Sequence, residues 1–350
     1  MDLAHEDWGG AFVDVAVIDT GVDATNLDLL GRVEEYAVYD YETPVPVDSY
    51  DSYGHGTHVC GTIAADAGYD RKGIYGVAPE ADLHMYDVFT MGGYVDTAVI
   101  RAVDLGAEVI SMSIGFGISD IYGNWVSSNV IIDVPSLYPE LHAALLYAYY
   151  NDVLPVASAG NERDTLELDP TLVTYELPSI GYPAASSWVV AVGAIDPHKE
   201  PAFFSSSGLP GSSDIGRDMV EVAAPGVGLQ LSGAWYRGYT PDDIDYIHAH
   251  YPTYIFSTFP TYPTGYSSYY GARNAPPGYA WMMGTSMACP HVSGLAAKLW
   301  QGSAEATRGY LRSIAQDIWE SGYDVATGLG LPVVPSSWVD VPWWWRIKPV

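Results

Sequence analysis

Five apolar runs of strand length punctuate the chain: VDVAVID (13–19), ADLHMYDVF (81–89), AEVISMSIG (107–115), VLPVASAGN (153–161) and WVVAVGAID (188–196). The first is broken by a single Asp and closed by Thr-Gly, as expected of a parallel strand that is buried on both faces and ends at a turn. Between the runs lie stretches with helical patterning, HGTHVCGTIAADA (55–67), VDTAVIRAVDLG (95–106), PELHAALLYAYYND (139–152) and TSMACPHVSGLAAKLWQ (285–301). Strands alternating with helices predict an α/β fold, a mostly parallel central sheet with helices on both faces. In such sheets chemistry collects beyond the carboxyl ends of the strands. Asp19 ends the first run and Asn161 the fourth, while His55 and Ser286 stand at or next to helix starts. All four can therefore face one crevice.

Two stretches break the alternation. From Trp235 to Trp281 the chain reads as loop, with ten tyrosines, six prolines and no helical period. A loop this long in a compact domain is functional or a packed surface excursion. Residues 116–138 form a smaller stretch of the same style. A chain of 350 residues, 48% hydrophobic, can bury one large core. We therefore expect a single domain over 1–350 with insertions at 116–138 and 235–281. Its Trp-rich tail, 336–350, is expected to fold back on the body.

Charge narrows the partners. There are 43 Asp plus Glu but only 14 Lys plus Arg, a formal charge of -29. So few cations exclude a phosphate-binding face, and nucleic acid is not an expected partner. Surplus carboxylates suit a surface kept hydrated in salt, or one that neutralises in acid. No run approaches 18 apolar residues, so no transmembrane segment is expected in this chain. The start, MDLAHEDWGG, lacks the basic and apolar regions of a signal peptide; an exported protein would carry its targeting segment ahead of it. Cys60 and Cys289 are too few for a disulfide scaffold and sit in small-residue helical runs, as buried thiols do.

A serine hydroxyl is a poor nucleophile until a base takes its proton, and the base needs a third group to orient it. Ser, His and Asp fill these roles in any chain order. Asp19 in DTG ends a buried strand; Gly54 and Gly56 flank His55 and let the backbone turn sharply; Ser286 opens a helix, where N–H groups favour a developing anion. The amide NH2 of Asn161 and the Ser286 N–H can together bind an oxyanion. Taken singly, each has a plainer reading as a turn, cap or structural residue. Only the set points to catalysis.

The motifs VAVIDTGVD, HGTHVCGTIA, GVAPEADL, VISMSIG, VASAGNE, VAVGAID, FFSSSG, VAAPGV and GTSMACPHVSG, in this order, resemble those of the subtilisin-like serine proteases, the subtilases. The resemblance runs from about Val13 to about Trp300. It implies the subtilisin-like three-layer fold and a secreted serine endopeptidase, extracellular or at the cell surface, that cleaves polypeptide substrates without a catalytic cofactor. By it, Ser286 is the nucleophile, His55 the base, Asp19 its orienting carboxylate and Asn161 the oxyanion donor, with His58 and His291 structural. Gly92 and Gly93 and the segment Ser113, Ile114, Gly115 pair with the substrate backbone. Ser113 to Gly115 with Ala159 and Gly160 wall the pocket for a large apolar or aromatic side chain before the scissile bond, with Glu162 at its rim. The resemblance also implies a structural calcium held through Asp28 and Asp70, and an inhibitory N-terminal pro-segment as partner. A related acid-active type, the sedolisins, has Glu in place of the base, which His55 argues against. The remaining alternative is a non-catalytic binding or structural protein on the same scaffold.

Overall fold

The structure, a computed structural model, describes residues 13–37, 45–46, 50–68, 72–89, 94–115, 118–119, 125–126, 138–161, 180–208, 219–228, 254–265, 267 and 275–334. Its strands in chain order are β1 (Asp14–Asp19), β2 (Val33–Ala37), β3 (Val45–Pro46), β4 (Asp82–Asp87), β5 (Val109–Met112), β6 (Ile118–Ser119), β7 (Trp125–Val126), β8 (Leu154–Ser158), β9 (Val190–Ile195), β10 (Val222–Pro225), β11 (Ile255–Thr258), β12 (Tyr279–Met282), β13 (Ala315–Gln316) and β14 (Leu331–Pro332). Seven of them lie parallel in the order β10-β9-β8-β5-β1-β4-β2, and β3 adds an antiparallel edge. The helices are α1 (His55–Ala64), α2 (Val95–Asp104), α3 (Pro139–Tyr150), α4 (Thr285–Lys298) and α5 (Ala304–Ser313).

The expected three layers follow from alternation along the strands. Side chains of a strand point to opposite faces in turn. Val15 and Val17 of β1 pack with Val59, Ile63, Ala288 and Val292 in the core under α1 and α4. Ala16 and Ile18 pack with Ala98, Val99, Leu145 and Ala148 under α2 and α3. Because both faces are covered, the strands read as continuous apolar runs, and each buried Val or Ile contributes about 2 kcal/mol. Parallel register puts Met112 at the end of β5 opposite Ala157 in β8, while Asp19 ends β1 one strand over. The three chain segments that leave these ends therefore emerge side by side.

The stretch read as loop from Trp235 to Trp281 contains two paired strands. β11 and β12 are antiparallel, with Phe256 stacked on Tyr279 at a centroid distance of 5.2 Å and tilted against Trp281 at 4.5 Å. Four-residue strands set among prolines and tyrosines leave too little periodicity to read. β11 lies along α1: Thr258 Oγ1 donates to the Thr57 carbonyl (2.7 Å) and Ser257 Oγ to that of His58 (2.8 Å). Gly61 permits this approach, since a Cβ there would stand 2.1 Å from Thr258 Oγ1. Residues 235–253, 266 and 268–274 of that insertion, most of 116–138 and the tail from 335 lie outside the described residues. Among the described residues no helix is long and apolar enough to cross a membrane.

Cys60 and Cys289 are both buried and are not joined in a disulfide. Burial pushes the Cys289 thiol up to about 11, so it packs as a neutral group. His58 and His291 are also held neutral. The first meets the Ile255 carbonyl through Nε2 (3.1 Å), the second the Met287 carbonyl through Nδ1 (2.7 Å). Burial lowers their pKa values to about 3 and about 4. An unfolded chain takes up these protons near pH 6.5, whereas the native protein refuses them. Stability should therefore fall as pH drops below about 6.5, by up to about 1.4 kcal/mol per unit for each histidine. The window closes near 4 for His291 and near 3 for His58. Urea denaturation at pH 7, 6 and 5 checks this; equal unfolding free energies at pH 7 and pH 5 would contradict it.

Candidate active site

The site begins where β1 stops. Asp19 is fully buried, and its Oδ1 accepts from the Thr20 N–H (2.8 Å) and faces His55 Nδ1 at 2.7 Å. A carboxylate oxygen only accepts, so this contact puts the imidazole proton on Nδ1 and leaves Nε2 for whatever occupies the crevice. His55 is the first residue of α1, and the turn into the helix runs through Gly54 at φ 96°. A Cβ at Gly54 would meet both a left-handed backbone and the Phe259 ring at 2.2 Å, so glycine is required. Burial pulls the His55 pKa down. The charge and hydrogen bond of Asp19, joined by the charge of Asp51, outweigh that and leave it above the ordinary 6.5.

Asp51 supports this turn. Its Oδ1 accepts from Thr20 Oγ1 (3.0 Å), Tyr53 N (3.0 Å) and Gly54 N (2.7 Å), and its Oδ2 accepts from Thr57 N (2.9 Å) and Thr57 Oγ1 (2.7 Å). It thus caps the start of α1 from four positions before His55 and fastens that start to the residue after Asp19. Burial raises its own pKa, partly countered by these donors. The sequence reading did not include Asp51. An Asp four residues before a Gly-flanked His was the available signal.

Ser286 is the second residue of α4. Its hydroxyl donates to the Ser113 carbonyl (3.2 Å), while its own carbonyl accepts from Ser113 Oγ (2.8 Å). The second bond follows from the sequence. Pro290 sits inside α4 and has no N–H, so the Ser286 carbonyl four residues earlier has no helical partner and is free for Ser113. Helix α4 is in this way joined to the end of β5. Asn161 follows β8, and its Oδ1 accepts from Thr285 N (2.9 Å) and Thr285 Oγ1 (3.0 Å). The backbone donor fixes which end of the amide is oxygen, leaving Nδ2 as the outward group. A Cβ added at Gly284 would lie 3.6 Å from both Asn161 Nδ2 and Ser286 N. Two N–H donors therefore border one small space that the glycine, at φ 146°, keeps open.

A crevice of about 550 Å³ runs past His55, with Ser113, Ile114 and Gly115 along one side. A Cβ at Gly115 would touch nothing, so that wall is open. Ala159 is buried and Gly160 half-buried beside it, the Ser158 hydroxyl reaching the Ile114 carbonyl at 3.5 Å. The rim also carries Tyr53, Phe89, Met282 and Met283, none of which the motifs single out. Gly92, Gly93, Glu162 and Asp70 lie outside the described residues. Asp28 is buried, its Oδ2 accepting from Ile74 N (2.8 Å) and Tyr279 OH (2.9 Å). Among the described residues no group of three or more His, Cys, Asp or Glu is placed to hold a metal.

Comparison with known proteins agrees with this architecture. The solved structure of sphericase is similar with a TM-score of 0.67 and 31% identity over 93% of both chains. A subtilisin of Bacillus sp. (strain TA39) is 31% identical over 348 residues, covering 93% of this chain and 68% of that protein. An intracellular serine protease of Paenibacillus polymyxa is 31% identical over 300 residues, 83% of this chain and 68% of the other. Such relatives do not fix the side of the membrane on which this chain works. The model of the subtilase family matches residues 10–322. A match of that length, joined to likeness over the whole fold, means that the chain belongs to the subtilase family and is a subtilisin-like serine endopeptidase.

Proposed function

We propose that the enzyme hydrolyses polypeptides through an acyl-enzyme on Ser286, with His55, Asp19 and Asn161 in the roles assigned above. The observation that carries this reading is the 2.7 Å contact between buried Asp19 and His55 Nδ1. It orients the ring and stabilises the imidazolium formed when Nε2 takes a proton. In the first step the Ser286 hydroxyl turns from the Ser113 carbonyl toward Nε2, surrenders its proton and attacks the scissile carbonyl. The oxyanion enters the space bordered by Asn161 Nδ2 and Ser286 N, where fixed donors stabilise charge that appears only during reaction. His55 then protonates the leaving amine, and water repeats the sequence to release the acid. The open wall at Gly115 and the apolar rim of Phe89, Met282 and Met283 support a preference for large apolar or aromatic side chains before the cleaved bond.

A fluorophosphonate should label Ser286, and Ser286→Ala should abolish both labelling and turnover. Asn161→Leu should lower kcat about 10²- to 10³-fold, the loss established for this donor in subtilisin itself. Since the base must be neutral, kcat/KM should fall about tenfold per pH unit below a midpoint above 6.5. Rapid cleavage by Ser286→Ala would refute the assignment.

We further propose an extracellular or cell-surface setting and a structural calcium that involves Asp28 and Asp70. In support, Asp28 is a buried carboxylate against the backbone of Gly73, whose Cβ would stand 1.9 Å from Oδ1, so the loop closes tightly on it. A hard cation suits carboxylate and carbonyl oxygens there. Removing calcium with a chelator should lower the thermal midpoint, and adding it back should restore it. An unchanged midpoint, with no calcium found by elemental analysis, would exclude the site.

A further inference from the structure

The long insertion ahead of Ser286 reaches the other side of the site. Beyond β11 the chain turns at 259–265 and lies over the segment that leads into α1. The Asp51 N–H donates to the Tyr262 hydroxyl oxygen (2.8 Å), the Gly265 N–H to the Ser52 carbonyl (2.9 Å), and Thr264 Oγ1 to the Tyr53 carbonyl (3.1 Å). The Tyr262 ring stacks on Tyr50 with centroids 5.1 Å apart and planes 9° apart. Three hydrogen bonds and a stacked ring thus hold four consecutive residues, 50 to 53.

Asp51 is where this clamp meets the reacting groups. Its carboxylate binds Thr20 Oγ1, whose oxygen also accepts from the Gly56 N–H at 2.9 Å. Thr20 in turn donates its N–H to Asp19 Oδ1, and Gly54 donates its N–H to Asp51 Oδ1. A shift of the Asp51 backbone therefore moves both partners of the Asp19–His55 contact, one through Thr20 and one through Gly54 and Gly56.

We propose that Tyr262 is a positioning residue for the Asp19–His55 pair, acting through Asp51, so that the insertion takes part in setting the catalytic geometry. This rests on the reading of Asp19 and His55 as catalytic. Tyr262→Phe is the suitable variant, because it removes the hydroxyl while the ring stays stacked on Tyr50. It leaves the Asp51 N–H without its acceptor.

With rates normalised by fluorophosphonate titration of intact sites, Tyr262→Phe is expected to lower kcat about tenfold with KM unchanged, as a small misplacement of catalytic groups does. Two further readouts separate positioning from general support. The titratable groups around His55 are Asp19, Asp51, Tyr53 and, one turn along the helix, His58. The acid limb of kcat/KM should move in Tyr262→Phe as the distances of His55 to Asp19 and Asp51 change, and the NMR signal of the His55 Nδ1 proton should shift with it. Thr264→Val releases the Tyr53 carbonyl but keeps the Tyr262–Asp51 bond, and should change kcat, the acid limb and that signal less than Tyr262→Phe does.

An unchanged kcat and Nδ1 signal in Tyr262→Phe overturns the inference, as does an equal loss in Thr264→Val. His55→Ala distinguishes the two levels. If it is inactive while Tyr262→Phe behaves as wild type, only the positioning role fails. If it retains the full rate, the catalytic reading fails and takes the inference with it.

Discussion

Helix α4 is enclosed by protein along most of its length, and this confinement places the rest of the site. Eleven of its residues are buried, from Thr285 through Ala297, and it packs on β5, β8, β9 and β10 as well as on α1. A helix surrounded in this way needs small side chains, and the sequence supplies Ala288, Cys289, Ser293, Gly294, Ala296 and Ala297. At Gly294 even a Cβ would come within 2.8 Å of Val77. Close packing of this kind has little capacity to yield, so the first turn, with Ser286, is fixed against the strand ends. Pro290 adds a second restraint by releasing the carbonyl that Ser113 captures. Ser286, the proposed nucleophile, is thus placed by the core, while its hydroxyl keeps the freedom to rotate.

The other half of the site is placed by polar contacts. His55 heads a helix whose start is held by Asp51, a buried carboxylate with five hydrogen bonds. A buried charge without partners would be costly, but one that gathers backbone and hydroxyl donors fixes their directions closely. The division is physically reasonable. A hydroxyl can tolerate rotation about one bond, whereas an imidazole that passes a proton between two partners requires its ring plane to be set.

The central strands were legible because both of their faces are buried, and the helices because each turns an apolar stripe to the sheet. VDVAVID and VLPVASAGN are apolar because both faces of the sheet are covered, so pattern and structure coincide to within a few residues. β2 was not legible because VEEYA carries two glutamates near the sheet edge, and α5 because AEATRGYLRS is polar and contains a glycine. β11 and β12 are short and rely on aromatic pairing between strands, which leaves no local period. Of the proposed site, Asp19, His55, Asn161 and Ser286 stand out in the sequence because each lies beside glycine or at an element end. Tyr262 does not, since its partner Asp51 is 211 positions away, whereas four of the five bonds of Asp51 are local and only its bond to Thr20 is not.

The acidic composition gains a firmer meaning from the histidines. A chain with 43 acidic and 14 basic residues invites a reading as an acid-working enzyme. Acid would protonate a His55 whose pKa already lies above 6.5, removing the proposed base. It would also favour the unfolded chain, which protonates His58 and His291 where the native core cannot. The raised carboxyls of buried Asp51 and of half-buried Asp14 and Glu108 act in the opposite sense, near and above the ordinary carboxylate range. At pH 7 the formal charge of -29 acts to keep copies of the chain apart and the surface hydrated.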